Sequence, residues 1–346
     1  LFKAFKPIGH NALGSEDTGA KSVAIGRKAL FAQNFDGDAF NVAIGNIAGQ
    51  AVTTGIYNVI VGGQAGMALT TGTRNVAIGL NALKSEDTGS HNIAIGHEAL
   101  KTADAGGDVY NVAIGSQAGT SVTTGANNNI IGGLAGDALT TGSQNIVIGR
   151  QALTTEDTGS RNVAIGDRAL YDANYDGNGY NVAIGHDAGD DISTGIQNTV
   201  VGGNAAKANI TTGSNNIVIG YDSDASAADV SNEITLGNSS ISALRCQVTS
   251  ISSLSDKRDK KDIKDSTYGL DFVDSLKPVT FEWDQRDGNR SGVKDVGFIA
   301  QDLQEVDDEY TRLVYESNPD KLEATYGRLI PIMAKAIQEL SAEVKE

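Results

Sequence analysis

The sequence predicts a mainly β protein, a parallel β-solenoid followed by a small α+β domain that ends in a coiled-coil helix. Three observations carry this prediction. A glycine closes a short apolar stretch fourteen times between Gly9 and Gly237, at steps of 17 to 19 residues. A longer period lies on top of the first: Gly26, Gly96 and Gly166 are 70 apart, as are Gly45, Gly115 and Gly185. The register then stops, and Lys257, Arg258, Lys260, Lys261 and Lys264 mark a change of composition. A self-similar period this short belongs to stacked coils, each in contact with its neighbours, not to a globular core.

Composition narrows the core and the partners. The 346 residues are 40% hydrophobic but only 5% aromatic, so the interior must be thin and filled with Ala, Val and Ile. The 42 glycines would suit disorder, but their strict register with Val and Ile argues against it. The net charge of −16 and the scarcity of clustered cations in the repeats exclude sequence-independent nucleic-acid binding. Acidity of this kind keeps a long fibre soluble and discourages lateral association. The single cysteine, Cys246, rules out an intrachain disulfide framework. No stretch approaches a membrane span and no signal peptide is visible, so membrane insertion is not expected. The chain opens on Leu1 and reads as a piece of a longer protein.

Within a rung, Asn75-Val76-Ala77-Ile78-Gly79 alternates along a strand, with Val76 and Ile78 on one face and Ala77 on the other. All three are apolar, which places one face inside the coil and the other against a neighbour. The glycine after Ile permits a bend that a Cβ would resist. A Thr-Thr-Gly or Asp-Thr-Gly element supplies a second turn, so each rung is expected to hold two short strands and two turns. Fourteen rungs at about 4.8 Å span roughly 65 Å. Asn41, Asn58, Asn75, Asn92 and Asn111 head successive pentads and predict an amide ladder along the axis, with Ser22 in place of one Asn.

The long rungs carry the polar candidates. Asp36 with Asp38 and Asp176 with Asn178 supply too few oxygen ligands for a calcium loop, and no metal or cofactor is expected. The pairs Glu16-Asp17, Glu86-Asp87 and Glu156-Asp157 read as polar turns. No pair of carboxylates stands out as an acid–base couple, and no enzyme activity is read for the repeats. The boundaries follow from these patterns: a repeat shaft over 1–237, an extended linker over 238–254 and a further domain over 255–346.

The Asn-Val-Ala-Ile-Gly pentads followed by Ala, as in Asn111 to Ala118, resemble the head repeats of trimeric autotransporter adhesins. With their Thr-Thr-Gly spacers they also resemble repeats of phage tail fibres. The adhesin resemblance implies a left-handed parallel β-roll that trimerises through its Ala- and Val-rich face. The interval here is longer, which implies a larger outer loop.

Ser255-Asp256-Lys257-Arg258-Asp259-Lys260 fits the Ser-Asp-x-Arg-x-Lys motif of the intramolecular chaperone of endosialidase tailspikes. Leu276-Lys277-Pro278-Val279, Phe281, Trp283 and Gly297-Phe298-Ile299-Ala300-Gln301 follow in that family's order. The resemblance implies a trimerising domain that helps the fibre fold and then detaches itself, with Ser255 as nucleophile and Lys260 as general base. A serine hydroxyl needs such a base, and an amine serves when desolvation or nearby cations favour its neutral form. Asp259, between Arg258 and Lys260, would instead hold Lys260 charged. Attack within one chain reaches the Leu254 carbonyl through a five-membered ring and cuts Leu254–Ser255. Attack between chains could equally cut Ser255–Asp256.

Downstream, Val279 to Trp283 and Val296 to Ile299 read as strands. From about Tyr326 a helix carries Ile330, Met333, Ile337, Leu340 and Val344 at coiled-coil spacing. The expected function is a trimeric tail fibre or tailspike of a virion, involved in host attachment. Its partners would be two further copies, other tail proteins and a host surface receptor, with a glycan as one candidate. The alternatives are a bacterial surface adhesin with the same chaperone and a polysaccharide-degrading tailspike fragment.

Overall fold

A computed structural model describes residues 7–16, 21–208, 210–245, 247, 255–285 and 291–345. Cys246, the linker residues Val248, Ile251 and Leu254, and Asp17 lie outside them. The chain divides into two units, Leu1–Asn238 and Ser239–Glu346.

In the first unit thirteen of the fourteen apolar stretches contribute one three-residue strand each. Strands β1 to β4 are Val23–Ile25, Val42–Ile44, Val59–Val61 and Val76–Ile78. Strands β5 to β8 are Ile93–Ile95, Val112–Ile114, Asn129–Ile131 and Ile146–Ile148. Strands β9 to β13 are Val163–Ile165, Val182–Ile184, Thr199–Val201, Ile217–Ile219 and Ile234–Leu236. They stack in chain order as one thirteen-stranded parallel sheet. Equivalent positions pair, as in Val42↔Val59, Ala43↔Ile60 and Ile44↔Val61. A bridge from Ile8 to Ile25 carries the ladder one rung further.

The alternation has the consequence that period two demands. The middle residue of each strand points inward, and Ala43, Ile60, Ala77 and Ala94 are fully buried. The flanking residues point outward and are only half-covered: Ile44, Val59, Ile114 and Ile184 keep 36–39% of their surface. Within one chain, therefore, the second apolar face is left open.

The expected second strand of each rung is not present as a strand among the described residues. Left-handed backbone interrupts it, at Lys28 and Leu30 in one rung and at Asn81 and Leu83 in another. Hydrogen bonds still run from rung to rung there, from the Leu30 N–H to the Ala48 carbonyl at 3.1 Å and from Thr53 to Thr70 at 2.9 Å. Among the described residues, only the short bridges Ser90↔Asp108 and Ser160↔Asn178 mark extended pairing on that side. The coil satisfies its backbone through turns, which is the obligation that a buried segment must meet.

Glycine at the pentad end is required twice over. Gly62 has φ +138°, and a Cβ there would lie 2.3 Å from the Gly79 carbonyl oxygen of the next rung. The stack is closest at this corner. At the fourth residue after each pentad glycine, a left-handed Leu30 or Leu83 fills the core. Where that residue is Gly49 or Gly66, buried Val52 or Leu69 supplies the volume instead.

The asparagine ladder forms, with a geometry more useful than side-chain stacking alone. The Asn58 backbone N–H donates to Asn41 Oδ1 at 2.9 Å, while Asn41 Nδ2 donates to the Gly55 carbonyl at 2.7 Å. Most of these amides thus satisfy a donor and an acceptor of the following rung, and the pattern recurs through Asn198 and Asn216. Asn92 keeps only the acceptor half, toward the Asn111 N–H, and Asn162 Nδ2 turns to Asn145 Oδ1 instead. All these side chains are buried.

The second unit has its own apolar core around Leu303, Leu313, Val314, Leu329 and Ile332. Its elements are α1 (Leu270–Ser275), β14 (Val279–Glu282), β15 (Lys294–Gly297) and α2 (Ala300–Gln304). Short β16 (Val314–Tyr315) and β17 (Glu323–Ala324) precede α3 (Leu329–Glu343). β14 pairs antiparallel with β15, and β16 with β17.

Candidate functional site

The start of the second unit is exposed from Ser255 to Thr267, so local hydrogen bonds set its conformation. Asp256 caps a 3-10 turn over Lys257–Asp259, and its carboxylate accepts the Arg258 backbone N–H at 2.8 Å. Aspartate suits this position because its short side chain reaches an otherwise unpaired N–H. The same carboxylate receives the Arg258 guanidinium, through Nε at 3.1 Å and Nη2 at 2.6 Å. The Arg258 side chain beside Asp256 holds its carboxyl below the usual carboxylate range. The turn closes as the Lys260 N–H donates to the Lys257 carbonyl at 3.2 Å. That reversal lays the Lys260 side chain back over Ser255, where Nζ donates to Oγ at 2.5 Å.

The two residues expected to act together are therefore in hydrogen-bond contact, the first geometric requirement for a nucleophile and its base. Leu254, the expected acyl side of the cut, lies outside the described residues. The carboxylate engaged in this turn is Asp256, and its ion-pair partner is Arg258. Among the described residues no ion pair joins Asp259 to Lys260. The family resemblance, not the residues by themselves, singled out Ser255 and Lys260; the capping role of Asp256 was not read, although Asp followed by a short polar run is a cap signal.

Two outward surfaces accompany this site, each on its own unit. On the solenoid, the uncovered sides of β1 to β13 form an aliphatic stripe. On α3, Leu329, Ile332 and Ala336 pack inward. Ile330, Met333, Ile337, Leu340 and Val344 face out, with exposures of 45–80%. The seam predicted from spacing is a face the helix's own unit leaves unused.

The polar turns hold one correction. Glu86 and Glu156 are not solvated; both side chains are fully buried. Glu86 Oε1 accepts the Gly89 N–H at 2.6 Å, and its Oε2 takes the Ala105 N–H of the long rung. Glu156 does the same for Gly159 and Tyr175. Burial raises both carboxyls above the ordinary glutamate range, against these hydrogen bonds. Nothing in a Ser-Glu-Asp-Thr-Gly string distinguishes an inward glutamate from an outward one.

Residues that could hold a cation occur as Glu86, Asp87 and Asp104, and as Asp167, His186 and Asp187. In the first group the Glu86 oxygens already serve backbone N–H groups. In the second, Arg150 holds Asp167 while Lys207 and Arg168 hold Asp187. The long-loop acids are likewise engaged: Asp38 pairs with Lys21, Asp108 with His91, and Asp176 accepts from Thr158.

Comparison with known families places the site. Residues 255–314 match the family described as chaperone of endosialidase, from the nucleophile candidate through the start of β16. No curated protein and no solved structure matches the chain. The second unit therefore carries an endosialidase-type chaperone segment, downstream of a parallel β-solenoid.

Proposed function

We propose that this chain is the shaft and C-terminal chaperone of a trimeric phage tail fibre or tailspike, and that the chaperone cuts itself away once three chains have assembled. The observation that carries this reading is the Lys260 Nζ–Ser255 Oγ contact at the head of the matched segment. The open aliphatic stripe and the open α3 seam support assembly with further copies. Long parallel stacks depend on non-local contacts and fold slowly with a risk of mispairing, so a small assembly domain at the end of the chain has a clear use. Host attachment follows from the resemblance to fibres and belongs to the same reading.

The cleavage step balances within the site. Lys260 as the free amine accepts the Ser255 hydroxyl proton, and Oγ adds to the carbonyl carbon of residue 254. The C–N bond breaks as the Ser255 nitrogen takes up a proton, leaving an ester that water hydrolyses. Dyad exposure in the single chain gives the step its timing. Neighbouring copies that exclude water from Lys260 favour its neutral form.

Mass spectrometry of denatured full-length chain beside Ser255→Ala tests the proposal. The unaltered chain is expected as two fragments and Ser255→Ala as one. A fragment beginning at Asp256 rejects attack within a chain, whereas one beginning at Ser255 fits either route. An unaltered chain that sediments as a trimer yet stays whole would remove self-cleavage from the reading.

A further inference from the structure

The aliphatic stripe poses a problem of register. Its outward residues are the first and third of each strand, and nearly all are Val or Ile. The 17- and 19-residue steps repeat every 70 residues, so β2, β6 and β10 present Val42 with Ile44, Val112 with Ile114, and Val182 with Ile184. Two copies displaced by four rungs, roughly 19 Å, would bring almost the same side chains together. Both aliphatic packing and loop spacing are degenerate under that shift.

One column breaks the degeneracy. The first outward residue of β3, β7 and β11 is Val59, then Asn129, then Thr199. Among the described strands of the first unit, Asn129 and Thr199 are the only outward positions without an aliphatic side chain. Asn129 is exposed while its neighbour Ile130 is fully buried, so the amide stands on the open face.

We infer that Asn129, assisted by Thr199, fixes the axial register between copies of this chain. The inference rests on the proposed assembly and commits to further copies as occupants of the stripe. The stripe runs roughly 60 Å along thirteen strands, each about 10 Å long, or about 600 Å² of projected face. That is at the upper limit of apolar patches on monomers and approaches what one partner offers to a stable interface. It also carries no charged side chain in a chain of net charge −16, so copies can meet there without bringing like charges together. In register, Asn129 meets Asn129 and the amides hydrogen-bond one another. Four rungs out of register, each amide faces Val59 or Thr199. An amide buried opposite a valine lacks a partner and disfavours that arrangement by about tenfold or more. A single buried Asn sets register between helices in the same way.

The test uses full-length chains carrying Cys246→Ser, co-expressed as two forms, one with Ile44→Cys and one with Ile114→Cys. Sedimentation first establishes the oligomer; a monomer would reject the assembly reading itself, and this inference with it. Oxidised products are then mapped by mass spectrometry. With Asn129 and Thr199 in place, disulfides are expected between like positions, 44 with 44 and 114 with 114, and 44–114 links should be rare. Adding Asn129→Val and Thr199→Val, both favourable in a strand, should raise 44–114 links at least tenfold while the trimer persists. Trimers of that variant linked only in register would show that the stripe does not set the stagger and would overturn the inference. Abundant 44–114 links with Asn129 and Thr199 in place would do the same.

Discussion

At the scale of single residues, the buried glutamates and the dyad's cap make separate predictions. The carboxyls of Glu86 and Glu156 are raised above their unfolded value by burial, so the folded solenoid holds their protons more tightly than the unfolded chain. Their contribution is full below about pH 4.5 and is lost as pH rises through the raised folded values. The double variant Glu86→Gln, Glu156→Gln should therefore flatten this part of the melting-temperature profile as pH rises above the ordinary glutamate range. Thermal denaturation over that rise checks it, and an unchanged slope would reject the assignment. Asp256 acts on the dyad through the turn it caps. Asp256→Ala should slow cleavage about tenfold without abolishing it, because Lys260 loses its preset approach to Ser255. The fraction of intact chain followed over time measures this.

At the scale of elements, the rung was legible and its interior partly so. Pentad spacing announced both the strands and their stacking, since a glycine whose Cβ would lie 2.3 Å from the next rung cannot drift in register. The ladder of asparagines was legible for a related reason: a polar residue recurring at the head of an apolar run needs a repeated partner. The missing second strand was not legible, because Leu30 and Leu83 adopt left-handed backbone that leucine ordinarily avoids. Tertiary packing holds them there, and no propensity argument sees it. Glu86 was misread for a similar reason, as one of its two partner N–H groups, that of Ala105, comes from the long insertion in the next rung.

Two substitutions compare these contributions. Asn75→Ala removes the acceptor of the Asn92 N–H and the donor to the Gly89 carbonyl. Leaving two buried groups unpaired should cost about 2–5 kcal/mol in denaturant unfolding. Gly62→Ala forces a methyl against the Gly79 carbonyl at φ +138°, whereas Gly106→Ala meets only Thr88 Oγ1 at 3.4 Å. The first should exceed about 3 kcal/mol and the second stay near or below about 1 kcal/mol. Equal effects would mean that the glycine corner is not the tight point of the stack.

At the scale of the whole molecule, assembly and cleavage should be separable by the two faces of α3. Ile337 is 66% exposed on the seam, while Ile332 is buried against its own unit. A charge at residue 337 leaves the unit's core untouched but would have to be desolvated in any three-helix seam, a cost that an unpaired carboxylate cannot recover. Ile337→Glu should therefore yield folded single chains with the junction at Ser255 intact, since Lys260 never leaves water. Ile332→Ala should lower the unit's stability by about 2–5 kcal/mol through a cavity, yet still assemble and cleave where the unit remains folded. Sedimentation and intact mass on the two variants, at several concentrations, decide the matter. If Ile337→Glu chains stay single and are cut as fast as the unaltered chain, the dyad is active in one chain and cleavage is no signal of assembly. If they still trimerise, the α3 seam is not what gathers the chains, and the aliphatic stripe of the solenoid must do so alone.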